Sequence, residues 1–199
     1  MQIIHDFLTV NEYSRPGKKL REVLAVVMHW TANPDANAKE NRDYFETKKT
    51  GTGGYASAHY IIDQNGLIIA AVPEYEIAYH CGTSAKDPAS GKVYTDEARA
   101  RFGAYASENN SPNNCTIGIE LCPIDAAGNF SAATMQSAIE LCADICRRYG
   151  LKSKAITTHH DIVGWKDCPK LWTNKPALLT AFRKSVTEKN KGVKNGRGN

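Results

Sequence analysis

Apolar and polar positions fall into short blocks of different period. Glu22 to His29 is an apolar, valine-rich run between Lys18-Lys19 and Asn33-Pro34, the pattern of a strand buried on both faces. Asp35 to Lys49 is polar with Tyr44 and Phe45 on one side, which predicts a surface helix opened by Asp35 or Asn37. Ala58 to Ile62 and Leu67 to Val72 flank Asp63-Gln64-Asn65-Gly66, whose Asn-Gly step signals a hairpin turn, and Glu76 to Tyr79 reads as a short edge segment. Thr116 to Cys122 alternates, with Ile117, Ile119 and Leu121 on one face and Glu120 on the other. From Ser131 to Gly150, Met135, Ala138, Ile139, Cys142, Ile145, Cys146 and Tyr149 recur at helical spacing. Ala155 to His159 is another short strand, and a last helix near Lys175 to Val186 is expected to bury Leu178, Leu179 and Phe182. Strands alternating with helices predict an α/β fold, a central mixed sheet flanked by helices.

Between these blocks, Cys81 to Asn114 is rich in Gly, Ser and Asn, with a short helix at Thr95 to Phe102 as its one pattern. Connections of that length inside a compact domain are usually functional. No internal repeat is visible, and 199 residues suit one domain. The expected division is an N-terminal extension over 1–20, one folded unit over 21–186 and a basic, disordered tail over 187–199.

Composition narrows the class. With 15 Gly, 8 Pro and 42% hydrophobic residues, collagenous and low-complexity chains are excluded. The longest apolar run, Val23 to Met28, falls far short of a membrane span of about 20 residues. Residues 1–20 lack a basic start followed by an apolar core, so no secretory signal is visible and synthesis in the cytoplasm is expected. The net charge of +4 is concentrated in the tail, where Lys189, Lys191, Lys194 and Arg197 outnumber Glu188. No basic stripe with interleaved aromatics remains elsewhere, which argues against a nucleic-acid partner.

Candidate chemistry gathers in two places. His29 stands where an apolar strand gives way to a polar loop, and His159 stands at the end of Ala155 to Thr158. Cys168 follows in the turn-prone Gly164-Trp165-Lys166-Asp167-Cys168-Pro169. Two imidazoles and a thiolate are three zinc ligands with a fourth position left for water. Each residue also has a plain structural reading, and spacing alone leaves both open. Cys142 and Cys146, one turn apart on an apolar helix face, read as buried packing, as do Cys81, Cys115 and Cys122.

Five segments stand in order: Val26-Val27-Met28-His29-Trp30-Thr31, Ser57-Ala58-His59-Tyr60-Ile61-Ile62-Asp63, Ala78-Tyr79-His80-Cys81-Gly82, Thr116-Ile117-Gly118-Ile119-Glu120-Leu121, and Thr158-His159-His160-Asp161-Ile162 continuing to Lys166-Asp167-Cys168-Pro169. Together they resemble the zinc-dependent N-acetylmuramoyl-L-alanine amidases, the superfamily of phage lysozyme-amidases and peptidoglycan recognition proteins. The resemblance implies a groove at the strand ends holding one zinc per chain, with His29, His159 and Cys168 as ligands and His160 facing away. It implies catalytic roles for Glu120, as the proton acceptor, and Lys166, as the stabiliser of the oxyanion. Trp30, where many relatives carry a second histidine, becomes a groove wall, and His59 and His80 become substrate-binding residues or internal supports. Some branches carry a catalytic tyrosine near Ala58; none stands there, which shifts weight to Glu120. The alternative for Glu120 is a surface carboxylate on an edge strand, and for Lys166 an ordinary loop lysine.

The resulting expectation is a monomeric, zinc-dependent hydrolase of the amide between N-acetylmuramic acid and L-alanine in peptidoglycan, acting at the bacterial cell wall. It fits an endolysin, an autolysin or a cytoplasmic muropeptide-recycling enzyme. The competing readings are a module that holds muropeptide without cutting it, and a cysteine peptidase of wall peptides using Cys81 or Cys168. Retention of Cys168 disfavours the first, because non-catalytic relatives lose the third ligand.

Overall fold

The computed structural model describes residues 1–195, with side chains as far as residue 192. Six strands form one mixed sheet: β1 (Ile3–His5), β2 (Ala25–Trp30), β3 (Tyr60–Ile62), β4 (Ile68–Ala70), β5 (Thr116–Leu121) and β6 (Ile156–Thr158), in the order β1-β4-β3-β5-β2-β6. β3 and β4 are antiparallel through the expected Asn-Gly turn, and every other neighbouring pair is parallel. The turn is locked by Asp63, whose Oδ1 accepts from the backbone N–H of Asn65 and of Leu67. Gly66 sits at φ +81°, and a Cβ there would come within 2.8 Å of the Ala133 carbonyl, so the turn rests directly on the following helix.

Six helices complete the fold: α1 (Ala38–Thr47), α2 (Asp96–Phe102), α3 (Ala132–Arg148), α4 (His159–Val163), α5 (Lys170–Asn174) and α6 (Ala177–Asn195). Asn37, not Asp35, caps α1 in a capping box with Glu40. Phe45 is buried while Tyr44 is exposed, so the two do not share a face. Ser131 caps α3 by accepting from the Thr134 N–H at 2.9 Å.

Strand alternation divides the interior into two sides. Val26, Met28, Ile117, Ile119 and Leu121 face a core completed by Leu141, Cys142 and Ile145 of α3 and by Leu179, Phe182 and Val186 of α6. Ala25 and Val27 face the opposite side, where Phe102 of α2 and Ile162 of α4 cover them. The β2–β5 register pairs Ala25 with Thr116, Val27 with Gly118 and His29 with Glu120. The polar residues of β5 therefore share a face with His29.

Several expectations are corrected. Residues 1–20 are not an appendage: β1 pairs with β4, and Leu8 is 1% exposed among Phe45, Ile69 and Val72. Short, polar-flanked Ile3–His5 carries too little pattern to announce an edge strand. Residues 187–195 continue α6 and are not a disordered tail, with Lys189 bonded to Glu140 at 2.7 Å; residues 196–199 lie outside the described residues. Leu178 is 37% exposed, because Leu179, Phe182 and Val186 set the buried stripe of α6 and leave Leu178 beside it. Glu76 to Tyr79 supplies one isolated bridge, Lys19 to Glu76, in place of a strand.

If the N-terminal segment is core, Leu8→Ala should cost about 2–5 kcal/mol through lost burial and a residual cavity. Equilibrium urea unfolding measures this, and a loss below about 0.5 kcal/mol would restore the reading of residues 1–20 as an appendage.

Candidate functional site

The carboxyl ends of three adjacent parallel strands meet at one place, the usual location of sites in open α/β sheets. His29 is the next-to-last residue of β2, Glu120 lies opposite it on β5, and His159 follows the last residue of β6. A capping box makes the chain turn sharply there: Thr158 Oγ1 accepts from the Asp161 N–H, and the Asp161 carboxylate accepts from the Thr158 N–H. His159 thereby begins α4 instead of ending a strand. Gly164, at φ +78°, ends the helix, and the returning loop carries Lys166 and Cys168 back toward His29. Two bonds pin that loop. The Trp30 indole N–H donates to the Asp167 carbonyl at 3.0 Å, and the His160 N–H to the Cys168 carbonyl at 3.0 Å.

Ligand atoms of His29, His159 and Cys168 all lie within 4.8 Å of one another, and all three residues are buried. Cys168 Sγ is 3.6 Å from His29 Nδ1. His159 Nε2 lies 3.0 Å from the Gly82 carbonyl, which can only accept, so this nitrogen carries the proton and Nδ1 keeps a lone pair. That Nδ1 is buried without any partner. An orphaned acceptor beside a second imidazole and a thiol is the donor set of a tetrahedral zinc site with one position open. The residues fit the ion.

Burial governs the electrostatics. Desolvation holds His29 and His80 far below the ordinary histidine range, and brings His159 to about 3 and His59 to about 4. It pushes the Cys168 thiol up to about 12, a value suited to a group that loses its proton to a cation and not to a free nucleophile. Burial also raises Glu120 to about 7, against the opposing pull of Lys166, and its Oε2 is buried with no partner.

A groove of about 470 Å³ runs over this cluster. His29, Trp30, His80, Glu120, His159, Lys166 and Cys168 line it. Glu120 therefore belongs to an interior strand at the base of the groove, not to an exposed edge. His160 turns away and bonds the Lys166 carbonyl. His59 is the exception among the expected substrate contacts. It is fully buried, its Nδ1 accepting from the Gly118 N–H and its Nε2 donating to the Glu76 carbonyl, so it supports the interior and does not reach the groove. Cys81 is likewise wholly buried and outside the groove lining, and its thiol is raised by burial, which removes it as a nucleophile.

Trp30 lines the groove as expected, but the sequence motifs do not point to the other aromatic walls. Tyr55, Tyr79, Phe45 and Trp165 line the groove, and Tyr55 is 55% exposed, braced against Tyr13 and Tyr79 and bonded to Glu12. The glycine-dense Gly51-Thr52-Gly53-Gly54 before Tyr55, with three positive φ angles, was the available signal of a shaped loop.

A profile of the N-acetylmuramoyl-L-alanine amidase family matches residues 19–171. The chain belongs to that family. It is 36% identical over 186 residues to a probable N-acetylmuramoyl-L-alanine amidase of Bacillus licheniformis, and 32% identical over 189 residues to the N-acetylmuramoyl-L-alanine amidase BlyA of Bacillus subtilis. Each match covers 94% of this chain and 47% of the relative, so the chain spans about half the length of the curated relatives it matches. Among solved structures it resembles the catalytic domain of XlyA (TM-score 0.66, 22% identity, 94% of this chain and 99% of that one). It also resembles PlyL (TM-score 0.68, 19% identity, 94% and 97%). At those identities the likeness establishes a shared fold.

Two predictions follow from the cluster. If the cluster holds zinc, Cys168→Ala leaves two neutral imidazoles, so zinc stoichiometry should fall below one per chain and the melting temperature should not rise with added zinc as it does in the unaltered chain. At a thousandfold excess over Kd that stabilisation is about 4 kcal/mol. Cys168→Asp, which supplies another anionic ligand, should retain more of both. A buried cysteine with no metal role predicts the reverse order, since Ala fits a small apolar site and Asp suffers desolvation.

The second prediction concerns pH in the metal-free chain. Glu120 has a folded pKa near 7 against 4.5 for the unencumbered group, so ionising it costs stability as pH rises through that window. The buried histidines act oppositely: their stability is present above pH 6.5 and is lost as pH falls toward their depressed values. Glu120→Gln removes only the first effect. The melting temperature of this variant minus that of the unaltered chain should grow by roughly 5 °C between pH 4.5 and 7.5. A flat difference would mean that Glu120 is solvated.

Proposed function

We propose that this chain hydrolyses the amide joining the lactyl group of N-acetylmuramic acid to L-alanine in peptidoglycan, with one zinc held by His29, His159 and Cys168. The observation that supports the reading is the convergence of these three ligand atoms beside a carboxylate whose Oε2 is buried and unpartnered, in an open groove. A bound zinc supplies Lewis acidity, polarising a carbonyl and acidifying water to a pKa of about 7.

The chain's own residues do the remainder. Glu120, with a pKa near 7, takes a proton from the attacking water and returns it to the leaving amine, a match of acidity to working pH that serves both directions. Lys166 lines the groove and places a positive charge where the carbonyl oxygen gains negative charge. Trp30, Tyr55, Tyr79 and Trp165 present flat apolar surfaces for the sugar and stem peptide on either side of the scissile bond. His80 supports the site from within, and His59 lies behind it. The substrate belongs to the bacterial cell wall, and no helix among the described residues is long and apolar enough to cross a membrane.

Digestion of purified walls with and without chelator tests the reading. New L-alanine amino termini that disappear with chelator are expected; new reducing sugars would mean a glycosidase, and no products would leave a binding module. Glu120→Gln should keep one zinc per chain and lose roughly 10²–10⁴-fold in turnover, and Lys166→Ala should spare zinc while lowering turnover. Near-normal turnover in Glu120→Gln with zinc bound would remove the carboxylate from the mechanism.

A further inference from the structure

A directed line of hydrogen bonds runs from the backbone to His29. The Thr116 hydroxyl donates to the Pro112 carbonyl at 2.7 Å, which fixes where its proton points. Thr116 Oγ1 is 3.3 Å from His80 Nε2, and with its own proton committed it can only accept, so His80 carries hydrogen on Nε2. His80 Nδ1 then holds a lone pair, and it lies 3.1 Å from His29 Nε2. His29 must therefore carry its hydrogen on Nε2, leaving a lone pair on Nδ1, the nitrogen facing Cys168 Sγ.

We propose that His80 and Thr116 are positioning residues that select the metal-binding tautomer of His29. The proposal rests on the reading of His29 as a ligand. Partners of this kind are worth about 10–100-fold in metal affinity where a ligating histidine depends on them.

The surroundings are built for this line. His80 and Cys81 both donate backbone N–H groups to Asn113 Oδ1, at 3.0 and 2.7 Å, so one turn (Pro112–Asn114) holds the His80 backbone and also starts the line. Gly118 leaves space for the ring, since a Cβ there would lie 2.5 Å from His80 Cγ. The Cys81 thiol, 3.3 Å from His80 Nδ1 and 3.6 Å from Thr116 Oγ1, is a weak donor to two acceptors already in the line and leaves its direction unchanged.

Thr116→Val keeps the side-chain shape and removes the acceptor. His80 then gains nothing from a proton on Nε2, and with hydrogen on Nδ1 it would drive the His29 proton onto the ligating nitrogen. Thr116→Ser keeps the hydroxyl. Zinc affinity, measured by competition with a chromophoric chelator, should fall at least tenfold in Thr116→Val and stay within about threefold in Thr116→Ser. Long-range ¹H–¹⁵N spectra of the metal-free chain read the tautomers directly: Nε2–H on His29 and His80 is expected in the unaltered chain and in Thr116→Ser, and a shift toward Nδ1–H in Thr116→Val. Equal zinc affinities, or Nδ1–H on His29 in the unaltered chain, would overturn the proposal. If Thr116→Val does not fold, His80→Phe against His80→Gln asks the same question, because the amide offers an acceptor and a donor and the phenyl ring neither. Should the unaltered chain bind no zinc while the tautomers are as expected, the metal reading fails and the hydrogen-bond line stands.

Discussion

Parallel pairing of β2 with β5 sets the position of every other group at the site. Its register places His29 opposite Glu120 and Val27 opposite Gly118, with all four side-chain positions on one face. Alternation makes this strict, because a one-residue slip of either strand would send its own polar residue, His29 or Glu120, into the layer of Met28, Ile119 and Leu141 and bring apolar side chains to the groove. Burial on the α3 and α6 side therefore enforces the chemistry on the other side. Gly118 adds a steric condition, as any larger residue at that register position would occupy the volume of the His80 ring.

Four histidines lie buried close together, with ring centroids 4.9–5.7 Å apart between neighbours. Such a cluster survives desolvation only when it is neutral and its N–H groups find acceptors. Backbone carbonyls of Glu76 and Gly82 take two of them, and the Thr116 hydroxyl takes a third. Of the five buried side-chain atoms without a partner among the described residues, two, His159 Nδ1 and Glu120 Oε2, belong to residues that line the groove. Their shared position beside His29 and Cys168, and not the lack of a partner alone, is what suits the spot to a ligand.

Much of this was legible before any coordinates. Valine-rich Glu22 to His29, the Asp63–Gly66 turn and the Ser131 helix carry periods strong enough to survive tertiary context, and the ordered motifs singled out His29, His159 and Cys168, which the fold brings together. What escaped lacks local period. Ile3–His5 becomes a strand because β4 offers it a parallel edge, and α4 and α5 are short helices of five residues, the first set by the Thr158–Asp161 capping box and the second following Pro169 without a side-chain cap. The burial of His59 depends on Glu76 and Gly118, residues 17 and 59 positions away, which no local pattern connects. Tyr55 reaches the groove from a glycine-shaped loop, and Tyr79 from the segment after β4, along paths that only the whole fold determines.

His29 and Cys168 are separated by 139 residues yet their ligand atoms lie 3.6 Å apart. All six cysteines are free, so no covalent bridge ties the chain to itself. An ion shared by these two side chains would be the one cross-link in the molecule, closing a loop that includes four of the six strands after β1 and β2, namely β3, β4, β5 and β6. Because the site exists only in the folded chain, such a tie would stabilise by the ion's binding free energy and hold the two ends of that span together only while the fold is intact. Such a tie needs no oxidising compartment and can be undone by a chelator. It also cannot form on a partly synthesised chain, since the thiolate end emerges only after the whole sheet. Reactivity and structural completion would then coincide in the same bond-forming event.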